Sequence, residues 1–114
     1  IDDRDKRDFI NMTFPEDDMP TAFVCNCDEA AYRAIRQLRG MGYNVPEDIS
    51  IVGYDNYLIS EVSDPTITTI NVDADYMADL AVMTLMDRME EPDGKPRIIT
   101  IEGDLVIKDS VKRI

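Results

Sequence analysis

Asp55 is the side chain in this sequence best placed to do recognition chemistry. It follows an apolar run at residues 49–54 that has the length and composition of a buried strand. A carboxylate held at such a strand end can accept two hydrogen bonds from neighbouring hydroxyls of a ligand. The same position also suits a turn residue. Asn26, Cys27 and Asp28 leave an earlier β-prone run, and Val72 and Asp73 leave a later one. Asn26 and Asn56 can bond a polar ligand, although both residue types also belong in turns. Asp28 opens a helical stretch, where its carboxylate is expected to be the N-cap.

Several other chemistries are excluded by what the chain lacks. Its 114 residues contain no His, which removes His-based acid/base catalysis and His-ligated zinc from within the chain. Cys25 and Cys27 are one residue apart, too close for an unstrained disulfide, and two thiols do not make a zinc site. They read as small hydrophobes at a strand end, and no metal site or cofactor is expected. The five glycines are scattered, with no P-loop, nucleophile elbow or dinucleotide fingerprint among them. A phosphoacceptor role for Asp55 would need a Lys beside it, and nothing in the pattern brings Lys95 or Lys108 there. The aspartate-dense stretch from Asp2 to Asp8 is not a calcium loop, since no glycine falls at the sixth position counted from Asp3 or Asp5. Twelve basic against 24 acidic residues leave a net charge of −12, which argues against this chain gripping a phosphate backbone itself. No apolar run approaches the roughly 20 residues that cross a bilayer.

The elements that would position Asp55 follow from periodicity. Residues 1–19 read as an acidic, irregular lead-in. A strand is predicted at 21–26, then a helix from Asp28 to Arg39 with Ala31, Ala34, Ile35 and Leu38 at helical spacing, ended by Gly40 and Gly42. The run at 49–54 is a buried central strand, 57–63 a short helical or irregular link, and 67–72 a strand favoured by Thr68 and Thr69. The longest helix, 74–90, carries Met77, Leu80, Ala81, Leu85 and Met89 on one stripe, widened by Val82 and Met86. Its methionines, including Met83, read as core filler. Two short strands are expected at 97–101 and 105–108. This is the rhythm of a parallel α/β sheet, in which ligands bind beyond the carboxyl ends of the strands.

The string Pro20-Thr21-Ala22-Phe23-Val24 followed by Asp28-Glu29-Ala30-Ala31 resembles the effector core of LacI/GalR-family transcriptional regulators. The segment from Gly42 to Asp55, with Val45-Pro46-Glu47-Asp48-Ile49-Ser50-Ile51-Val52-Gly53-Tyr54 at its centre, is similar to that family's most recognisable stretch. Pro65-Thr66-Ile67-Thr68-Thr69-Ile70, Met77, Ala81-Val82, Leu105-Val106, Lys108 and Ser110 continue the match in the family's order.

The resemblance implies an α/β fold: a three-layer parallel-sheet subdomain of a truncated periplasmic-binding-protein-like (type I) fold. Residues 20–66 would form the C-terminal subdomain, 67–96 a crossover strand and helix towards the N-terminal subdomain, and 97–114 the closing strands. The chain opens on Ile1 and is expected to be a piece of a longer regulator. The stripe on helix 74–90 would therefore be exposed, or covered in a rearranged dimer. Further implications are a small-molecule effector, most simply a carbohydrate or its phosphate, a homodimer, no catalysis, no cofactor and no membrane. The location would be cytoplasmic, and DNA would be held only by an N-terminal head outside this chain. On the resemblance, Asp55 and Cys27 face the effector, with Asn26 and Val72 nearby and Asp28 as the helix cap beside them. Val72 and Asp73 stand where the family often has Gln and Pro. Tyr32, Ile35, Leu58, Ile59 and Val62 would lie at the dimer interface, although a local core accounts for such an apolar cluster equally well. A solute-binding receptor of a sugar transport system, with an export leader, is the alternative within the same fold.

Overall fold

The computed structural model describes residues 12–114 in full and, before them, only the backbone of 2–3 and 8–9. The rest of the acidic lead-in (residues 1, 4–7, 10 and 11) lies outside the described residues. Where it is described it is less irregular than expected, because β1 (Asp2–Asp3) pairs antiparallel with β2 (Asp8–Phe9). A single 3-10 turn follows at Glu16–Asp18.

From there strands and helices alternate: β3 (Ala22–Val24), α1 (Asp28–Gly40), β4 (Ser50–Val52), α2 (Leu58–Val62), β5 (Thr69–Asn71), α3 (Ala74–Glu90) and β6 (Asp104–Val106). β3 and β4 run parallel with Phe23 opposite Ile51. β4 meets the next segment through parallel bridges at Val52–Thr68 and Asp55–Asn71, and β6 pairs with β5. The fold is thus the expected parallel α/β arrangement, with strands shorter than their apolar runs. β4 ends at Val52, and beyond it Asp55 and Asn56 adopt φ of 105° and 57°, outside the extended region of regular strands. Residues 97–101 are not a strand. Extended propensity is realised only against a pairing neighbour, and Ile98 is 97% exposed.

α1 holds the sheet in place. Ala31, Ala34, Ile35 and Leu38 recur at helical spacing and pack on Val45, Ile49, Ile51 and Ile67. The two alanines let the helix axis approach the sheet closely, and each fully buried Ile or Leu contributes about 1.5–3 kcal/mol. Gly42, at φ 95°, ends the helix in the left-handed conformation, while the Tyr43 N–H reaches back to Leu38 O at 2.9 Å. Ile35 is 1% exposed, so it belongs to this core and has no surface left for a dimer partner.

The described chain forms two compact units, one reaching to Asn71 and resumed at Leu105–Ile114, the other Val72–Asp104. The second is α3 with its return. No residue of α3 is buried. Met83, Met86 and Met89, expected as core filler, are 60%, 56% and 71% exposed. Polar contacts join α3 to its own return: Arg88 Nη1 donates to Gly94 O at 2.6 Å, and Arg97 pairs with Asp87 at 3.3 Å. Among the described residues no helix is long and apolar enough to cross a membrane.

Candidate functional site

Asp55 leaves β4 at the carboxyl end of the parallel strands, where sheets of this kind bind ligands. Its N–H donates to Ile70 O at 3.0 Å, so the neighbouring segment holds the residue as the chain turns. Two consecutive non-glycine residues at positive φ store about 1–3 kcal/mol each. Asp and Asn are the residue types that tolerate it best. Such strain persists only where surrounding contacts over-determine it, and here they come from two sides.

The first is Asp28. Its N–H donates to Tyr54 O at 2.9 Å, and its Oδ2 accepts from the Tyr57 N–H at 2.8 Å. One fully buried residue therefore spans the whole Asp55 turn. This corrects the expectation that Asp28 caps α1. The chain enters helical geometry one residue early, so the N-cap is Cys27, in extended conformation, and its Sγ accepts from the Ala30 N–H at 3.5 Å. Asp28, already in the helix, turns its carboxylate inward to the loop after β4. Oδ1 has no hydrogen-bond partner among the described residues and lies against Gly53.

The second is Asn56. Its N–H donates to Thr69 Oγ1 at 3.3 Å and its Nδ2 to Asn71 Oδ1 at 3.1 Å. Oδ1 accepts from Lys108 Nζ at 3.1 Å. Lys108 also donates to Ser60 Oγ at 2.7 Å, and that hydroxyl donates to Tyr57 O at 2.7 Å. Lys108 is itself fixed by the closing segment. Its N–H donates to Thr68 Oγ1 at 2.9 Å, and Ser110 joins the Thr68 N–H at 2.8 Å to Ile51 O at 2.5 Å.

These contacts decide which groups remain to meet a ligand. The Asn56 amide is engaged at both ends, whereas Asp55 presents a half-buried carboxyl whose pKa is raised, chiefly by burial and then by the negative charge of Asp28. Cys27 is half-buried and Asn26 exposed at the end of the adjacent strand. Val72 is half-buried and opens the other unit. Burial, reinforced by Cys27, pushes the Cys25 thiol up to about 11, which disfavours its thiolate. Among the described residues no group of three His, Cys, Asp or Glu side chains is arranged to hold a metal ion. A depression of about 780 Å³ lined by Asn44, Glu47, Asp64 and Thr66 lies at the amino ends of β4 and β5, the wrong end of a parallel sheet for the ligand crevice.

The residues expected at a dimer interface divide. Leu58 and Val62 are 71% and 67% exposed on α2, Tyr32 and Ile59 are half-buried, and Ile35 is core. Gly53, Ser60, Asn71 and Lys108 were not singled out as site residues from sequence. Gly53 and Lys108 carried a signal only as members of the strings that make the resemblance.

Residues 3–111 match the family model described as a periplasmic binding protein-like domain. The chain is 38% identical over 103 residues to an HTH-type transcriptional repressor PurR of Pasteurella multocida, covering 90% of this chain and 31% of that protein. Its fold is similar to that of the transcriptional regulator CelR in complex with cellobiose, at 30% identity and a TM-score of 0.73, over 79% of this chain and 28% of that one. It is also similar to the lac repressor dimer bound to operator and the anti-inducer ONPF, at 28% identity and a TM-score of 0.72, over 81% and 32%. The chain spans about a third of the length of the curated relatives it matches.

Proposed function

Because the chain belongs to the periplasmic binding protein-like domains of LacI-type regulators, we propose that it is the effector-binding and dimerisation part of such a regulator. Asp55 would be its main polar contact to a carbohydrate or carbohydrate phosphate. The observation that carries this is the Asp55 turn, a strained carboxylate-bearing loop at the carboxyl end of a parallel strand, held rigid by Asp28 and Asn56. A ligand-accepting carboxylate needs such support, because preorganisation removes the entropic penalty of fixing it on binding. The CelR complex with cellobiose supports a sugar as the effector class.

Regulation would be allosteric and without catalysis. An effector bound more tightly in one closure state biases the arrangement of the whole regulator, and DNA affinity changes by the same coupling free energy. The DNA-binding head would lie outside this chain, a reading that the net charge of −12 supports, and the regulator would work in the cytoplasm, where its DNA is. Leu58 and Val62, exposed on α2, suit a homodimer interface, and the operator-bound lac repressor dimer supports that assembly.

A thermal-shift screen of the intact protein against glucose, cellobiose, their phosphates and non-sugar polyols tests the effector class. Stabilisation by one or more sugars that grows with concentration is expected. No shift with any sugar, together with a shift from a ligand of another class, overturns the carbohydrate assignment.

A further inference from the structure

Asn56 touches both places where the chain passes between its two compact units. Asn71, which accepts from Asn56 Nδ2 at 3.1 Å, is the last residue before the chain leaves the first unit at Val72. Lys108, which donates to Asn56 Oδ1 at 3.1 Å, lies just after the chain returns at Leu105. One side-chain amide, beside the carboxylate that the strained turn presents, therefore reaches the outgoing and the returning connection together. Its third tether, the N–H to Thr69 Oγ1, fixes the backbone from which the amide projects.

We propose that Asn56 is a positioning residue that couples the Asp55 turn to both chain connections. A hydrogen bond at 3.1 Å is lost once its atoms separate to about 3.6 Å. A displacement of the turn by about half an ångström is thus enough to release Asn71 or Lys108, and the amide geometry makes the two connections respond together. Two features favour coupling over direct ligand contact. Both polar atoms of the amide are engaged within the protein, and Lys108 donates to both Asn56 Oδ1 and Ser60 Oγ, so the returning connection is tied to two residues of the segment that follows Asp55. The proposal rests on the reading of the Asp55 turn as the effector contact.

Amide hydrogen exchange on the intact protein tests the coupling without an effector, so its failure is distinguishable from failure of the effector reading. Asn56→Ala should speed exchange about two- to tenfold at both 70–73 and 104–108, the effect of losing one hydrogen bond at each. Of the two connections, Asn71→Ala should loosen 70–73 alone and Lys108→Met 104–108 alone. The coupling is overturned if Asn56→Ala speeds exchange only within 55–60, or if each single-connection variant loosens both connections as much as Asn56→Ala does. Should Asn56→Ala fail to fold, the other two carry the test: each should also speed exchange at 55–57, and an unchanged turn in both overturns the proposal.

Discussion

A Cβ on Gly53 would stand 2.2 Å from Asp28 Oδ1 and 3.2 Å from Asp28 Cα, so glycine is what lets α1 bring a buried carboxylate against β4. That approach in turn lets Asp28 accept from the Tyr57 N–H and span the turn that carries Asp55.

Gly53→Ala should therefore expel the Asp28 carboxylate and leave the Tyr57 N–H unpaired. About 1 kcal/mol of stability should be lost, the usual net contribution of one hydrogen bond. Asp28→Ala removes the same bond by another route, so the two losses should not add. In urea denaturation the double variant should fall short of the sum by about 1 kcal/mol. Full additivity would mean that the two residues act independently.

Asp55→Asn should raise the melting temperature at pH 7. The folded state raises the Asp55 pKa through burial and the charge of Asp28, so the ionised carboxyl opposes folding above the folded-state pKa. As pH falls through that value towards the ordinary carboxylate pKa, Asp55 takes up a proton in the folded state and the penalty disappears. The advantage of the variant should shrink over that window, and Asn keeps the tolerance for positive φ. An equal or lower melting temperature at pH 7 would show that the charge is not strained.

Iodoacetamide at pH 8 should label Cys27 and spare Cys25. With its pKa pushed up to about 11, Cys25 is about one thousandth thiolate at that pH. Mass spectrometry should find a single adduct on the folded chain and two after denaturation. Equal labelling of both in the folded chain would contradict the burial of Cys25.

α3 leaves Val82, Leu85, Met86 and Met89 more than half exposed. An apolar face of this kind binds hydrophobic dyes or drives association. The chain should enhance dye fluorescence or sediment as more than a monomer, and Leu85→Gln with Met89→Gln should reduce both. A monomer that binds no dye would contradict the exposure.

What the sequence made legible follows the range of the interactions. α1 and α3 were readable because their apolar spacing is local, and the place of Asp55 beyond the end of β4 because it follows an apolar run directly. The role of Asp28 was not, since its partner Tyr57 is 29 residues away and only the tertiary approach at Gly53 turns the carboxylate inward. Lys108 meets Asn56 across 52 residues, a distance no motif encodes. Ile35 was misread as interface because α1 shows an apolar face without saying what covers it, and residues 97–101 were misread as a strand because their β-propensity had no neighbour to pair with.

Isothermal calorimetry of the intact protein with the sugar found by thermal shift, comparing the parent with Asp55→Ala, decides whether the Asp55 turn is the effector contact. Loss of a hydrogen-bonded carboxylate should weaken binding by about 1–3 kcal/mol, or about 5- to 150-fold in Kd. An unchanged Kd in a folded Asp55→Ala variant would remove Asp55 from the effector site and with it the proposed role of the turn.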